Sequence, residues 1–271
     1  MNLELFIARR IAHNGSGNRP GVMVRIAVVA VALSVTVMIL ALAVIMGFKR
    51  EITDRVTGFS AQVEVADLRS AGSIESVPVL RSEQLERTIR SAGEVVRLTP
   101  YAVKGGVVKT PDAILGVMLK GVDGGYEWSF FRDHLLEGEL PRVGDSIRTK
   151  EILISRSVAR EMGLAPGDKV EMLFVESEKS PRRDRFKVSG IYATGMDEFD
   201  RSVAMTDLRN VQRLADWSSE EVSGYEVTLA DFLQAEDFSR RLNDMLLDSD
   251  REAFWDLTAR SAQERFPTVF D

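Results

Sequence analysis

The strongest constraint on this chain is an apolar run at residues 26–48 that contains no charged residue. As a helix it would be roughly 34 Å long, against a bilayer hydrocarbon core of about 30 Å. Arg25 precedes the run and Lys49 and Arg50 follow it, at positions where basic side chains can reach lipid headgroups. The run therefore predicts a transmembrane helix, which we place at residues 22–48.

Two other interpretations of this run fit the sequence less well. A cleaved signal peptide could use the Ala-Leu-Ala triplet at residues 41–43, but the apolar run continues to Met46 and follows a long N-terminal region. A buried helix of a soluble protein would show a polar face, whereas only Ser34, Thr36 and Gly47 interrupt the run.

Charge and cysteine content exclude several classes of function. The net charge is -6 at pH 7, and because the first 48 residues are basic, the remainder is more acidic than the whole. An acidic domain disfavours nucleic acid as a partner. The sequence has no cysteine, which excludes disulfides, thiol catalysis and Cys-ligated metal. A small excess of Lys and Arg before the run favours a cytoplasmic N-terminus.

Residues 1–21 form a separate segment ahead of the span. Leu3, Phe6, Ile7 and Ile11 recur at helical spacing, which predicts a short basic amphipathic helix at the inner membrane surface or, equally, an ordinary packing helix. A linker rich in glycine, at residues 15–21, separates it from the span.

The rest of the chain predicts an α+β fold. Residues 61–68 alternate as a strand, and a helix capped by Ser82 ends at Gly93. Three β-rich pieces follow, at residues 95–101, 106–109 and 113–121. At the far end, residues 224–229 form a strand, and Asp231 with Gln234 predicts a capping box for the last helix.

Between these two ends lies a β-rich module. Residues 152–154 predict a short strand, followed by a helix capped by Ser155 or Ser157 and ended by Gly163. Strands at residues 169–175 and 186–192 form a hairpin joined by a charged loop at residues 176–185. A strand-helix unit at each end therefore flanks an inserted module.

The sequence lacks the common nucleotide-binding and catalytic motifs. The phosphate-binding loop, the serine hydrolase elbow and the zinc protease motif are absent, and the two histidines, His13 and His134, give little from which to build a triad. Asp197, Glu198 and Asp200 could hold Ca²⁺ or act as an acid and base, but they are interpreted as a solvated acidic loop. We expect no catalytic, cofactor or metal site.

The charged loop of the hairpin is the most unusual surface feature. It holds four basic residues within an acidic domain, Lys179, Arg182, Arg183 and Arg185, and we include Pro181 with them in the candidate docking hairpin. Such a loop is either a solvated turn or a projection that docks a partner.

Five segments of the chain resemble a known family. They are residues 6–11 (FIARRI), 46–52 (MGFKREI), 58–65 (GFSAQVEV), 154–170 (ISRSVAREMGLAPGDKV) and 188–200 (VSGIYATGMDEFD). In order and spacing they resemble the permeases of the MacB and FtsX superfamily, most of all the lipoprotein-releasing permeases LolC and LolE.

This resemblance implies a location and a set of partners. The N-terminus would be cytoplasmic and the large domain periplasmic, in the inner membrane of a Gram-negative cell. A separate ABC ATPase subunit would bind ATP, and a second permease subunit would complete the transporter. The cargo would be a lipoprotein, which is passed to a periplasmic carrier. In LolC a hairpin called the hook grips that carrier. The corresponding loop here would be residues 175–185, which is shorter than the hook.

The resemblance also implies a division of the chain. A Porter-like subdomain would be split between residues 49–127 and 218–271, with a Sabre-like insertion at residues 128–217. The first helix would line a lipid-facing cavity with Ile26, Ser34, Thr36, Met38, Leu42, Met46 and Phe48.

One departure from the family leaves alternatives open. Family members continue into three more membrane helices, whereas this chain stops at residues 266–271, which predicts a truncated or incompletely read protein. The same residues are compatible with a permease for efflux or for mechanotransmission to a cell-wall enzyme, or with a single-span anchored periplasmic enzyme or binding domain.

Overall fold

The computed structural model describes residues 22–70, 75–110, 113–144, 146–174, 181–196, 200–249 and 252–270. It divides into two compact units, Met1–Thr53 and Asp54–Asp271. The amphipathic helix predicted at residues 1–21 lies outside the described residues, as do Lys179, Asp197 and Glu198.

The first described element is a long helix, α1 (Val22–Phe59). Its stretch Val24–Phe48 is long and apolar enough to cross a membrane. The hydroxyls of Ser34 and Thr36 donate to the carbonyls of Ala30 and Ala32 at 2.9 and 2.8 Å, which satisfies both groups within the helix. The helix continues past the predicted end at residue 48, because the charged residues that follow are good helix formers and Gly47 alone does not break it.

Ten of the strands described in the second unit form one mixed sheet. They are β1 (Val63–Asp67), β3 (Val95–Lys109), β4 (Ile114–Val122), β5 (Leu135–Gly138), β6 (Glu151–Ser155), β7 (Lys169–Phe174), β8 (Arg182–Tyr192), β9 (Val203–Asp207), β11 (Gly224–Leu229) and β12 (Leu257–Ser261). Their order is β12-β1-β11-β3-β4-β9-β6-β8-β5, and β7 pairs with both β3 and β8. A small separate ladder joins β2 (Val79–Leu80) to β10 (Glu221–Val222).

Strand β3 connects the two ends of this sheet. Its first half pairs with β11 and its second half with β7, so that β3, β4, β9, β6, β8 and β7 close a ring. The prediction of two separate strands at residues 95–101 and 106–109 is therefore wrong. Gly106 lies within the strand, and the ring of Phe174 packs against it, where a Cβ would lie 2.6 Å from that ring.

The helices cover both faces of the sheet. They are α2 (Glu83–Ser91), α3 (Ser129–Asp133), α4 (Arg156–Met162), α5 (Leu208–Ala215), α6 (Ala235–Leu247), α7 (Glu252–Trp255), α8 (Ala262–Arg265) and α9 (Pro267–Phe270). The predicted α+β class is confirmed. A large core packs α2, α4 and α6 on one side, and a smaller core around Phe59, Phe131 and Tyr192 lies on the other.

Most predicted helix boundaries are correct. Ser82 and Ser155 cap α2 and α4 through their side chains, and Gly163 ends α4 with a φ of 65°. The capping box at Asp231 is wrong. Asp231 accepts from the amide of Leu233 and begins a short 3-10 turn, so α6 starts only at Ala235.

The hairpin of β7 and β8 also differs from its prediction. Strand β8 begins at Arg182, so Arg182, Arg183 and Arg185 lie in the strand instead of in the connecting loop. The sequence does not show the usual alternation of apolar and polar residues at the start of β8, because the inward-facing residue there, Asp184, is charged and forms an ion pair with Lys150.

Candidate functional site

A row of charged residues crosses one face of the sheet. Arg260 on β12 lies opposite Glu64 on β1, which lies opposite Glu226 on β11, which lies opposite Thr99 on β3. Directly opposite side chains on one face are close neighbours, and like charges there repel. The two carboxylates therefore require cations beside them.

Two arginines, Arg260 on β12 and Arg265 on α8, lie beside Glu64. The guanidinium of Arg265 lies 3.0 Å from its carboxylate, Arg260 lies 3.6 Å away, and the hydroxyl of Tyr101 donates to it. Burial opposes ionisation of Glu64, but the charge of Arg265 and the other two partners outweigh it, so the pKa of Glu64 lies below its ordinary value. Burial, followed by the charge and the hydrogen bond of Glu64, raises the pKa of Tyr101.

Arg265 also joins the two ends of the domain. Its Nη2 atom donates to the Oγ of Ser60 and to the carbonyl of Ala61, each at 2.7 Å. These residues directly follow α1, whereas Arg265 ends α8. A single side chain thus ties the segment by which the chain enters the domain to a segment near its end.

Glu226 is paired with a buried lysine. The Nζ of Lys120 on β4 lies 2.5 Å from its carboxylate, and the two side chains are 9% and 10% exposed. The same ammonium lies 5.9 Å from the ring centre of Tyr101 and 5.6 Å from that of Tyr126, within the range of cation–π attraction. We call Glu64, Tyr101, Lys120, Glu226 and Arg265 the polar cluster.

A cavity of 220 Å³ opens beside the polar cluster. Its walls come from the last turn of α1 at residues 57–59, from the strands that carry Thr99 and Glu226, and from the aromatic segment at residues 126–130. Gly58 is required here, because a Cβ would lie 2.2 Å from the ring of Phe130. Arg97 and Glu127 form a half-exposed pair at 2.9 Å on the cavity wall.

The charges of the polar cluster are balanced within the domain. Both of its carboxylates are paired with cations, and the described residues contain no group of three His, Cys, Asp or Glu that could hold a metal ion. The Nδ1 atom of His134 lies 2.8 Å from the carbonyl oxygen of Phe130, and the rings of His134 and Phe130 lie 4.4 Å apart at a tilt of 34°.

Asp200, interpreted from the sequence as part of a wet acidic loop, is buried. Its carboxylate accepts bonds from the amides of Thr194 and Gly195 and from the hydroxyl of Thr194 at 2.8 Å. It closes the turn after β8, and the solvated interpretation is wrong for this residue.

The arginines of the hairpin have partners on neighbouring elements. Arg182 donates to the carboxylate of Asp216 at 2.6 Å, and Arg183 and Arg185 share Glu171 at 3.7 and 3.1 Å. All three arginines remain exposed, as does Pro181. Docking by this surface remains a prediction.

The residues predicted to line a membrane cavity lie along α1. Four of them, Ile26, Met38, Met46 and Phe48, have side chains that are more than 60% exposed, and Leu42 is 49% exposed. Ser34 and Thr36 bond to their own helix, as described above. Their role in lining a cavity also remains a prediction.

The polar cluster was not recognised in the sequence. One signal was present, since Lys120 interrupts the apolar strand ILGVMLKGV and a buried lysine requires an anion. Its partner Glu226 lies 106 residues away along the chain, so the pairing could not be read from spacing.

The fold and the cluster define a class: a mixed α+β domain tied together at its chain ends, preceded by a helix of membrane-spanning length. The sequence profile of the MacB-like periplasmic core domain matches residues 26–245. The chain belongs to this family, as the resemblance predicted.

Individual relatives agree with this assignment. The lipoprotein-releasing system transmembrane protein LolC from Xylella fastidiosa (strain 9a5c) is 27% identical over 77% of this chain. LolC from Neisseria meningitidis serogroup B is 26% identical over 79% of it. The chain spans about half the length of both relatives (50%).

A solved structure shows the same fold. The periplasmic region of MacB from Actinobacillus actinomycetemcomitans aligns with 80% of this chain and 97% of its own, with a TM-score of 0.50 and 14% identity. The predicted MacB-like architecture is thereby confirmed.

Proposed function

We propose that this chain supplies the first membrane span and the periplasmic domain of a permease subunit that removes lipoproteins from the inner membrane. A separate ABC ATPase subunit would hydrolyse ATP, a second permease subunit would complete the transporter, and a periplasmic carrier would receive the cargo. The observation that carries this proposal is the similarity to LolC over 77% of the chain.

The proposal assigns a role to each part. The N-terminus is cytoplasmic, residues 49–127 and 218–271 form the split Porter-like subdomain, and residues 128–217 form the Sabre-like insertion. The polar cluster supports a mechanical role, because Arg265 holds Ser60 and Ala61 to the sheet. A movement of α1 would then reach the domain as a whole.

Photocrosslinking from the span tests the cargo. Met38 and Leu40 lie about 200° apart around the helix, and Met38 is one of the residues proposed to line the cavity, whereas Leu40 is not. A photoreactive amino acid at Met38 should crosslink to a lipoprotein in cells, whereas the same group at Leu40 should crosslink mainly to lipid. Equal crosslinking from both positions, or none to a lipoprotein, would contradict the proposed cavity.

The hairpin provides a test of the carrier. Changing Arg182, Arg183 and Arg185 together to Ser should leave the unfolding temperature nearly unchanged, since exposed charges contribute about 0–1 kcal/mol each. Site-specific crosslinking to a co-expressed carrier should fall, and low salt should strengthen the wild-type contact. Arg160→Ser, an exposed arginine on α4, is the matched control. If the triple variant crosslinks to the carrier as strongly as wild type does, the hairpin arginines are a solvated surface and do not dock the carrier.

A further inference from the structure

A second, apolar groove lies on the sheet away from the polar cluster. It has a volume of 440 Å³, which falls within the range of small-molecule sites. Cross-strand register places Gly116, Val107, Leu173 and Arg183 in one row across β4, β3, β7 and β8. The groove lies over the glycine end of this row, and Arg183 stands at the other end.

Gly116 leaves the groove open, and no neighbouring atom prevents a larger residue at this position. A Cβ added at Gly116 would meet nothing within 4 Å, whereas one at Gly106 would strike Phe174 on the opposite face. A glycine inside a strand weakens it and often marks the close approach of a ligand. Gly116 therefore leaves a floor on which an extended chain can lie.

The lining selects an apolar ligand. The side chains around the groove are those of Val107, Met118, Leu173 and Ser202, and the lining includes no charged residue. A flexible apolar chain gains from burial against such a surface without leaving polar groups unpaired.

The charges beside the groove are positive. Arg183 is 73% exposed and shares the single carboxylate of Glu171 with Arg185, so the group of three carries an excess positive charge. Lys109, two residues beyond Val107 on β3, lies on the same face of the sheet and is exposed. An anion at the end of the apolar chain would complement these cations.

We propose that this groove binds one long-chain carboxylate, with its acyl chain along Gly116 and Val107 and its carboxylate beside Arg183. The site is distinct from the span and the polar cluster, and it shares Arg183 with the hairpin surface proposed to dock a carrier. It goes beyond the proposed transport function, and it would stand if the chain transported another cargo.

Photolabelling of the whole chain tests the proposal. The protein in lipid nanodiscs is irradiated with a long-chain carboxylate that carries a diazirine on its tail, and labelled peptides are mapped by mass spectrometry. Wild type should carry label within residues 105–118. Gly116→Val should lower that label by at least about tenfold, because the new side chain occupies the floor of the groove. The apolar span at Val24–Phe48 is an internal control whose labelling should not change.

Two further measurements separate binding from folding. Gly116→Val should unfold at the same temperature as wild type or higher, because the added side chain meets nothing and β-branched residues favour strands. In wild type, dodecanoate should protect the groove from label better than dodecanol does. Arg183→Ser should remove that preference, and Arg160→Ser should retain it.

Three outcomes would overturn the proposal. They are an absence of label within residues 105–118 of wild type, equal label in wild type and Gly116→Val, and equal protection by dodecanoate and dodecanol. Crosslinks between two copies of the chain through these residues, without lipid label, would assign the groove to self-association instead.

Discussion

The pair of Lys120 and Glu226 offers a sharp test of the polar cluster. Its atoms are 2.5 Å apart, and both side chains are about nine-tenths buried. Lys120→Met would leave the Glu226 carboxylate without its cation and opposite Glu64 across the strands. Removing one partner of a buried pair costs about 3–5 kcal/mol of unfolding free energy, because the remaining charge is uncompensated.

The double variant should behave differently. Lys120→Met with Glu226→Leu removes both charges, and a buried pair replaced by apolar residues is often neutral or more stable. We expect the double variant to be at least as stable as wild type to within about 1 kcal/mol. Glu226→Leu alone should cost a similar amount, because it leaves the Lys120 ammonium uncompensated. The two changes should therefore be coupled by roughly 5 kcal/mol or more.

Urea unfolding of the whole chain in mild detergent measures these energies. The three tryptophans, Trp128, Trp217 and Trp255, all lie beyond the span, so their fluorescence reports on the α+β domain. Arg97→Met is a matched control, because its pair with Glu127 is half exposed and should contribute at most about 1 kcal/mol. If Lys120→Met costs no more than Arg97→Met, or if the two changes at 120 and 226 add without coupling, the reasoning is refuted.

Three further predictions follow from the structure. Glu64→Gln should cost about 1.5–3 kcal/mol at pH 7 through its bond with Arg265. Because the pKa of Glu64 is lowered on folding, its contribution to stability is complete above about pH 4.5 and is lost as pH falls through the folded-state pKa. The unfolding free energies of wild type and variant, measured by urea titration, should therefore converge in acid. A difference that stays constant with pH would contradict this. Gly58→Ala should destabilise the domain by about 1–3 kcal/mol because the new methyl group clashes with Phe130, although Gly→Ala normally stabilises a helix. Adding Phe130→Ala should relieve the clash. An increase in the unfolding temperature of Gly58→Ala would exclude the contact. Leu40→Arg should cost the span about 2.5–3.5 kcal/mol of insertion, measured by membrane fractionation, and undiminished retention would argue against this segment as the anchor.

The elements of the fold were largely predictable because they depend on local patterns. The apolar run of α1, the caps at Ser82 and Ser155, and the alternation of β7 are each encoded within a few residues. The errors arose where a distant contact decided the outcome. The ring of Phe174 packs against Gly106, and Lys150 permits Asp184 to face inward.

The polar cluster could not be predicted for the same reason. Lys120 and Glu226 are 106 residues apart and Glu64 and Arg265 are 201 apart, yet register across neighbouring strands brings the carboxylates together. Each charged residue taken alone resembles an ordinary surface position on an alternating strand. Only the order of the strands in the sheet places them on one face.

Lipoprotein release from spheroplasts is the most direct test of the proposed function. In a strain in which this protein can be depleted, a newly made lipoprotein destined for the outer membrane is followed by pulse labelling, and its distribution between the inner membrane and a soluble carrier complex is measured. The account predicts that the lipoprotein reaches the carrier when the protein is present and stays in the inner membrane when it is depleted. Undiminished transfer to the carrier after depletion would contradict it.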